Sequence, residues 1–456
     1  MPRLEVSWHW LSLWGLLLVG GFIFPQLEGV VLVFAAIRGL KSPKAALEAF
    51  LILVFYTLAN SLFTAGLVSK FRYLVIFSGF FSVVFRRGNE RNSLSKALWV
   101  FFYCMLVISL AASYFPVISV LKTVSFFVGA YAIVEGFAQT RHLQAHWFKL
   151  VNSFFIFILL GSLAFLIIGW GFERNGRGFQ GILTHPQTFG PVLAVVTAWF
   201  LALTIGNKKV SKRTVIFVVI GIVLIFLSLA RTGMVALALG GIVAYLSSRR
   251  SRTTGFHRKK LMKISILLGV VGLISLLANP QIVTNVILPF VQKRNATTEF
   301  GELFAQSRGN LTVASMENFS DHPILGIGLG VPSGLDEESF GKVRYLGGIP
   351  VGASVEKGFL PSAILEEMGL IGALLTIYIL WVMIARVRKR FTLLTFWVLL
   401  TALFINIGEA ILFSLGGQGF FVWMIIGLTY NMDFFRSYNR VAIRTNRLGS
   451  SRISAL

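Results

Sequence analysis

The sequence predicts an all-α polytopic membrane protein with about twelve to fourteen transmembrane helices and one large polar loop between late spans. Three observations predict it. Of 456 residues, 56% are hydrophobic and only 13% charged, with a mean hydropathy of +0.78, whereas a soluble domain of this length carries about 25% charge. The hydrophobic residues fall in long runs. Basic residues collect in alternate connections between those runs.

In chain order the apolar runs lie near 8–24, 27–40, 45–68, 71–85, 94–114, 117–138, 149–171, 186–206, 213–230, 232–247, 262–278, 360–385, 391–413 and 418–434. A spanning helix needs about 17–25 residues, so 27–40, 71–85 and 232–247 are short, and one of them is a candidate re-entrant or interfacial segment. Trp8, Trp10 and Trp14 suit a membrane interface. Met1 to Phe24 lacks a small-residue cleavage site after its apolar run and reads as the start of the first span. The division that follows is an N-terminal helix bundle over 1–278, a large polar loop over 279–358, C-terminal spans over 359–435 and a basic tail over 436–456.

Orientation comes from the lysine and arginine bias of short loops. Lys41 and Lys44, then Arg86, Arg87, Arg91 and Lys96, then Arg141 and Lys149, then Lys208, Lys209, Lys212 and Arg213 occupy every second connection. Residues 249–263, the stretch Arg386 to Arg390 and the tail from Arg436 to Arg452 continue the alternation. A fourteen-span arrangement puts all of these, and both termini, in the cytoplasm. The net charge of +24 is then a topology signal at an anionic leaflet, and no nucleic-acid partner is needed to explain it. Membrane lipids are the expected surroundings.

The opposite face is close to neutral, with six basic residues against eight acidic ones inside 279–358. Cys104 is the single cysteine, within a span, which excludes a disulfide framework and a thiolate metal cluster. Asp336, Glu337 and Glu338 read as a solvated acidic turn ahead of a cation site, Gly326 to Gly330 follows no strand that would make it a phosphate loop, and the Asn-x-Thr sequences at Asn295 and Asn310 carry meaning only in a eukaryotic secretory setting.

Ionisable groups on this near-neutral side are few, and at membrane depth such groups are costly and usually functional. Arg174 and Arg177 lie in GFERNGRGFQGILTHPQTFG, and Arg231 sits in FLSLARTGMVALALGG, where the chain turns straight back into the membrane. Arginine suits phosphate oxygens through its two-pronged planar donor set. The alternatives are a snorkelling interface residue, or for Arg231 an ion pair with Glu409, Glu366 or Glu367. His185 is a candidate helix cap or cleft residue. Glu366 and Glu367 sit where the loop enters the next span, and Glu409 falls inside the run 391–413 near Asn406.

The order GRGFQGILTHPQTFG, SLARTG, SRGNLTVASMENFSDHPILGIGLG and VEKGFLPSAILEEMGLIGALL resembles the motif series of the O-antigen ligase and O-antigen polymerase superfamily, over roughly 170–435. The resemblance implies a glycosyltransferase of the bacterial inner membrane, with its active site and large loop on the periplasmic side. It implies transfer of a glycan from an undecaprenyl-diphosphate carrier to an acceptor hydroxyl, without a cofactor, a nucleotide sugar or a metal, and with polysaccharide assembly machinery as a partner. Carried over by position, Arg177 and Arg231, with Arg174 beside them, match the pyrophosphate-facing arginines. Arg308 opens the later loop motif, and His322, Pro323, Gly326, Gly328 and Gly330 match its turn.

Glu356 stands where ligases of the family place a catalytic histidine, and Lys357 stands in place of the Asn. Two readings follow: Glu356 replaces the histidine as general base, or the chain belongs to the polymerase-like branch, whose acceptor is another lipid-linked chain. The second is favoured, with ligation to lipid A core as the alternative. His322 is a fallback base, and His185 and Glu367 are supporting residues. A secondary transporter of an anion or lipid-linked sugar is the contrasting class, and a scaffold without catalysis is a third. The four-residue set Arg177, Arg231, Arg308 and Glu356 is expected to converge.

Overall fold

The computed structural model describes residues 4–86, 92–172, 178–207, 211–249, 310–333, 343–346, 349–353, 357–390 and 392–432. The first half forms α1 (Trp8–Ile23), α2 (Leu27–Gly39), α3 (Pro43–Leu58), α4 (Val68–Phe85), α5 (Ser93–Ala111) and α6 (Pro116–Gln139). Then come α7 (Gln144–Ile168), α8 (Pro186–Gly206), α9 (Lys212–Leu227) and α10 (Arg231–Arg249). The polar loop contributes α11 (Asn310–Asp321) and an antiparallel hairpin of β1 (Val343–Leu346) and β2 (Ile349–Ala353), before α12 (Leu360–Lys389), α13 (Leu393–Phe404) and α14 (Gly417–Asn431). Each apolar run holds a helix except 262–278, which lies outside the described residues. Among the described residues, seven helices are long and apolar enough to cross a membrane, so the chain is an all-α polytopic membrane protein with one small hairpin in its polar loop.

Helix starts follow local chemistry. Proline opens α3, α6, α8 and α12, where its missing N–H would have no partner anyway. Ser42, Asn92, His185 and Thr392 each accept a hydrogen bond from a first-turn amide. α4 has no cap of its own and borrows one: the buried Glu28 of α2 accepts from Ala65 N at 2.7 Å and from Val68 N. Of the runs too short on sequence, 71–85 grows to an 18-residue helix and 232–247 to a 19-residue one, whereas 27–40 yields only 13 residues.

α8 is buried from Phe189 to its C-terminus and packs on α9, α10 and α13. Its Trp199 indole donates to Asn152 Oδ1 of α7 at 2.7 Å, which satisfies two polar groups within the apolar core. The run 391–413 does not stay helical. Asn406 Nδ2 donates back to Leu403 O at 3.1 Å while its Oδ1 accepts from Ile411 N at 3.2 Å. The helix therefore stops, and Glu409, expected inside a span, lies on irregular chain between α13 and α14.

The connections sort onto two ends of the bundle. At one, Arg86 donates to Lys41 O, Gln139 to Val83 O at 3.0 Å, and Arg141 Nε to Asn431 O at 3.2 Å, while Arg38, Lys44 and His146 surround Glu48. At the other, Asn60 N donates to Ile182 O, Thr184 N to Leu58 O, Phe179 N to Leu227 O and Tyr114 N to Ile327 O, all at 2.8–3.0 Å. The first set is the basic one and the second the near-neutral one.

Because Glu28 is buried and holds two amides from the α3–α4 connection, Glu28→Ala is expected to destabilise the protein by about 1–3 kcal/mol. The measurement is the temperature at which detergent-solubilised protein loses its monodisperse peak, compared with wild type.

Candidate functional site

α12 is broken at Gly369, which takes φ 60° and ψ −162°, a conformation essentially confined to glycine. A break within a span frees backbone groups that lipid cannot satisfy. The turn after α11 satisfies them. Ile327 N donates to Glu366 O at 2.9 Å, Gly328 N to Glu367 O at 3.0 Å, and Leu370 N to Pro323 O at 2.9 Å. The two backbones touch so closely that a Cβ on Gly369 would lie 2.3 Å from Ile324 O, and one on Gly326 (φ 69°) 2.6 Å from Glu366 O.

The far side of the same turn is pinned to α5 and α6. Tyr114 N donates to Ile327 O at 3.0 Å, and Leu329 N donates to Ser119 Oγ at 2.9 Å. Ser119 Oγ in turn donates to Ser109 Oγ at 2.7 Å, so a buried hydroxyl pair ties the loop to the bundle. The glycine-rich segment is thus a packing wedge between α6 and the break in α12.

Successive helix residues point about 100° apart, and Glu366 and Glu367 accordingly have different surroundings. Glu366 is fully buried. Its carboxylate accepts from Ser315 Oγ at 2.6 Å and Asn318 Nδ2 at 2.8 Å, and pairs with Lys357 Nζ at 2.8 Å. Lys357 also donates to Ser333 Oγ at 2.9 Å, and Asn318 to Ser333 O at 2.6 Å. These bonds fasten α11, the turn and the start of α12 into one unit.

Glu367 instead lines a cavity of about 220 Å³ shared with Lys122, Lys357, Glu409, Ala353 and Phe413. The Gly330 N–H bonds to its carboxylate. Lys122 reaches the cavity from the second turn of α6, its stem lying along Gly330. It is attracted by Glu367 and opposed by Arg72 of α4. The cavity therefore carries charge of both signs at the near-neutral end of the bundle.

Arg231 opens α10 and is exposed. The hairpin before it is tight, since Leu229 takes the left-handed φ of 55°, a strain on the order of 1–2 kcal/mol for a residue with a Cβ. Phe179, two residues beyond Arg177, bonds to Leu227 of this hairpin, so the two arginine-bearing connections are neighbours. Gly408 packs on Thr232, the residue after Arg231, and the next residue, Glu409, lines the cavity. Arginine hairpin and cavity are adjoining parts of one end.

His185 Nδ1 accepts from Gln187 N at 3.1 Å and so caps α8. His322 bonds to the Tyr114 hydroxyl at 2.6 Å, ring edge to ring face, and is not among the cavity's lining residues. Arg174, Arg177, Arg308 and Glu356 lie outside the described residues. Lys122 escaped the sequence reading, although one signal was available: it is a lone lysine within the apolar run 117–138, and such residues rarely sit in a span without purpose. Lys357 is a motif departure in the sequence, and its clamp on Glu366 joins groups that only the fold brings together.

A helical bundle of this kind, with a polar loop wedged into a broken helix and a charged cavity at the end away from its basic connections, defines an integral membrane protein whose site sits at one membrane face. Residues 216–377 match the family model described as O-Antigen ligase. That match takes in Arg231, Arg308, the glycine turn and the break at Gly369, and it supports the O-antigen ligase/polymerase superfamily and glycan transfer of that general kind. No curated protein matches the chain.

Gly369→Ala is expected to destabilise the solubilised protein by about 2 kcal/mol or more, because the new methyl meets backbone and the dihedral is strained. Thermal unfolding in detergent measures it, with Gly15→Ala, where a Cβ meets nothing within 4 Å, as the matched control.

Proposed function

We propose that this protein is a glycosyltransferase that moves a glycan from an undecaprenyl-diphosphate donor to an acceptor hydroxyl at the periplasmic face of a bacterial inner membrane, in the manner of a polysaccharide polymerase. The observation that carries the reading is the charged cavity adjoining the Arg231 hairpin, built partly from the segment matched to O-Antigen ligase, which supplies Lys357 and Glu367, and partly from Lys122 and Glu409 outside it. The basic connections gather at the opposite end, as expected if they and both termini face the cytoplasm. The leaving group is a diphosphate, so Arg177 and Arg231, with Arg174 and Arg308, hold its oxygens and offset the charge that grows as the glycosidic bond breaks. A carboxylate on the 356–367 side takes the acceptor's proton.

The polymerase-like branch is favoured because Glu356 and Lys357 stand where the ligase motif has His and Asn. Lys357 here neutralises the buried Glu366, a use of that position which an Asn could not fill. The acceptor is then a second lipid-linked glycan.

Purified protein given a lipid-diphosphate-linked glycan is expected to join two such chains and to ignore lipid A core. Transfer to lipid A core instead would identify a ligase, and solute uptake into vesicles without any sugar transfer would sink the enzyme reading. In the same assay Arg231→Ala and Arg177→Ala are expected to lower transfer by about 100-fold or more, with the detergent melting temperature unchanged.

A further inference from the structure

Two adjacent carboxylates stand at the start of the broken helix, and only one of them has capacity left for chemistry. Glu366 is committed to Ser315, Asn318 and Lys357 and sealed from the cavity's solvent. Glu367 faces the cavity. Among the described residues no lysine, arginine or histidine nitrogen lies within 4.0 Å of it, and its hydrogen bond comes from the neutral Gly330 N–H. Among the described residues the charged groups around it are Lys122 of α6 with Arg72 of α4 behind it, Lys357 just before α12, Glu366 on the same helix, and Glu409 before α14. Glu409 is engaged in a further interaction.

The cavity's volume of about 220 Å³ corresponds to roughly seven liquid-water volumes at ~30 Å³ each, enough for part of a sugar ring. Its walls cannot drift, because the Gly330 amide and the Lys122 stem are held by the same wedge that fills the break at Gly369.

We propose that Glu367 is the catalytic proton acceptor for the incoming hydroxyl and that Lys122, which lines the same cavity from α6, is the positioning residue that holds its carboxylate toward the acceptor. This deepens, and rests on, the glycan-transfer reading. In the step, the acceptor oxygen forms a bond to the donor's anomeric carbon as the bond from that carbon to the diphosphate oxygen breaks. The diphosphate leaves with the electron pair, and the hydroxyl proton passes to Glu367. Lys122 orients the carboxylate and takes no part in the bond changes. The assignment separates two tasks along the site, with arginines for the leaving group and the Lys122–Glu367 pair for the acceptor.

The test uses the full-length protein in vesicles with a lipid-diphosphate-linked glycan as donor and a second lipid-linked glycan as acceptor. Glu367→Gln is expected to cut kcat by about 10²–10⁴-fold while KM for the donor stays within about threefold, since binding and proton transfer are distinct losses. Lys122→Met is expected to cut kcat about tenfold or more, and Lys122→Arg to recover most of it, a rescue that a packing role would not show. Where Glu367→Gln fails to give a monodisperse protein, Glu367→Asp keeps the charge, and its kcat is expected to fall with the donor KM unchanged. The proposal is overturned if wild type turns over and Glu367→Gln keeps more than about a tenth of its kcat, or if Lys122→Arg is as impaired as Lys122→Met. A wild type that moves no sugar at all would overturn the glycan-transfer reading itself, a result distinct from an active Gln variant.

Discussion

The bonding of the Pro323–Gly328 turn to the break in α12 at Gly369 is the constraint on which the rest of the site depends. A helix interrupted within a membrane leaves amides and carbonyls that hydrocarbon cannot satisfy, at several kcal/mol each. Here a segment from the polar loop supplies the partners, backbone to backbone, and glycine is required because no side chain fits between the two strands of chain. The loop is therefore part of the bundle's hydrogen bonding, and its position follows from that of α12.

Several features follow from this contact. The turn reaches α6 through Ser119 and brings Gly330 over Lys122. α11 is carried against α12, where Ser315 and Asn318 meet Glu366. A buried carboxylate is strongly unfavourable unless paired and hydrogen-bonded, and Glu366 has three donors, so this charge locks the loop to the helix. Its neighbour, turned about 100° around the same helix, is left to the cavity. One backbone break thus produces both a structural carboxylate and an available one.

The arginine hairpins join this unit through close backbone packing. The chain after Arg177 bonds to the turn before Arg231, and Gly408 rests on Thr232 next to Glu409. Elements from α6, α10, α12 and the α13–α14 connection meet at one end, while the cations of the basic connections meet at the other around Glu48, Lys41 and Asn431. This separation of charge keeps the lysines and arginines of the described basic connections at the end of the bundle away from the cavity.

Much of the fold was legible in the chain because its causes are local. An apolar run of spanning length, a proline at its start and a basic cluster at its end act over a few residues, and with the exception of 262–278, which lies outside the described residues, each run near 8–434 holds a helix. The motifs at Arg177, Arg231 and Pro323–Gly330 were legible as a resemblance. What they do was not. His185 reads as cap or cleft residue and is seen capping α8, and His322 bonds to Tyr114, more than two hundred residues away in sequence. Glu366 and Glu367 are indistinguishable in sequence, and only the packing of α11 on one face of α12 separates them. Lys122 is a lone cation in a long apolar run until Gly330 and Glu367 are folded beside it. The sequence by itself determined the apolar, helical character of the runs and the sorting of charge between connections, since hydropathy and loop charge are sums over neighbouring residues. The tertiary structure alone decided which ionisable groups are paired and which face open space, because that depends on contacts between residues far apart in the chain.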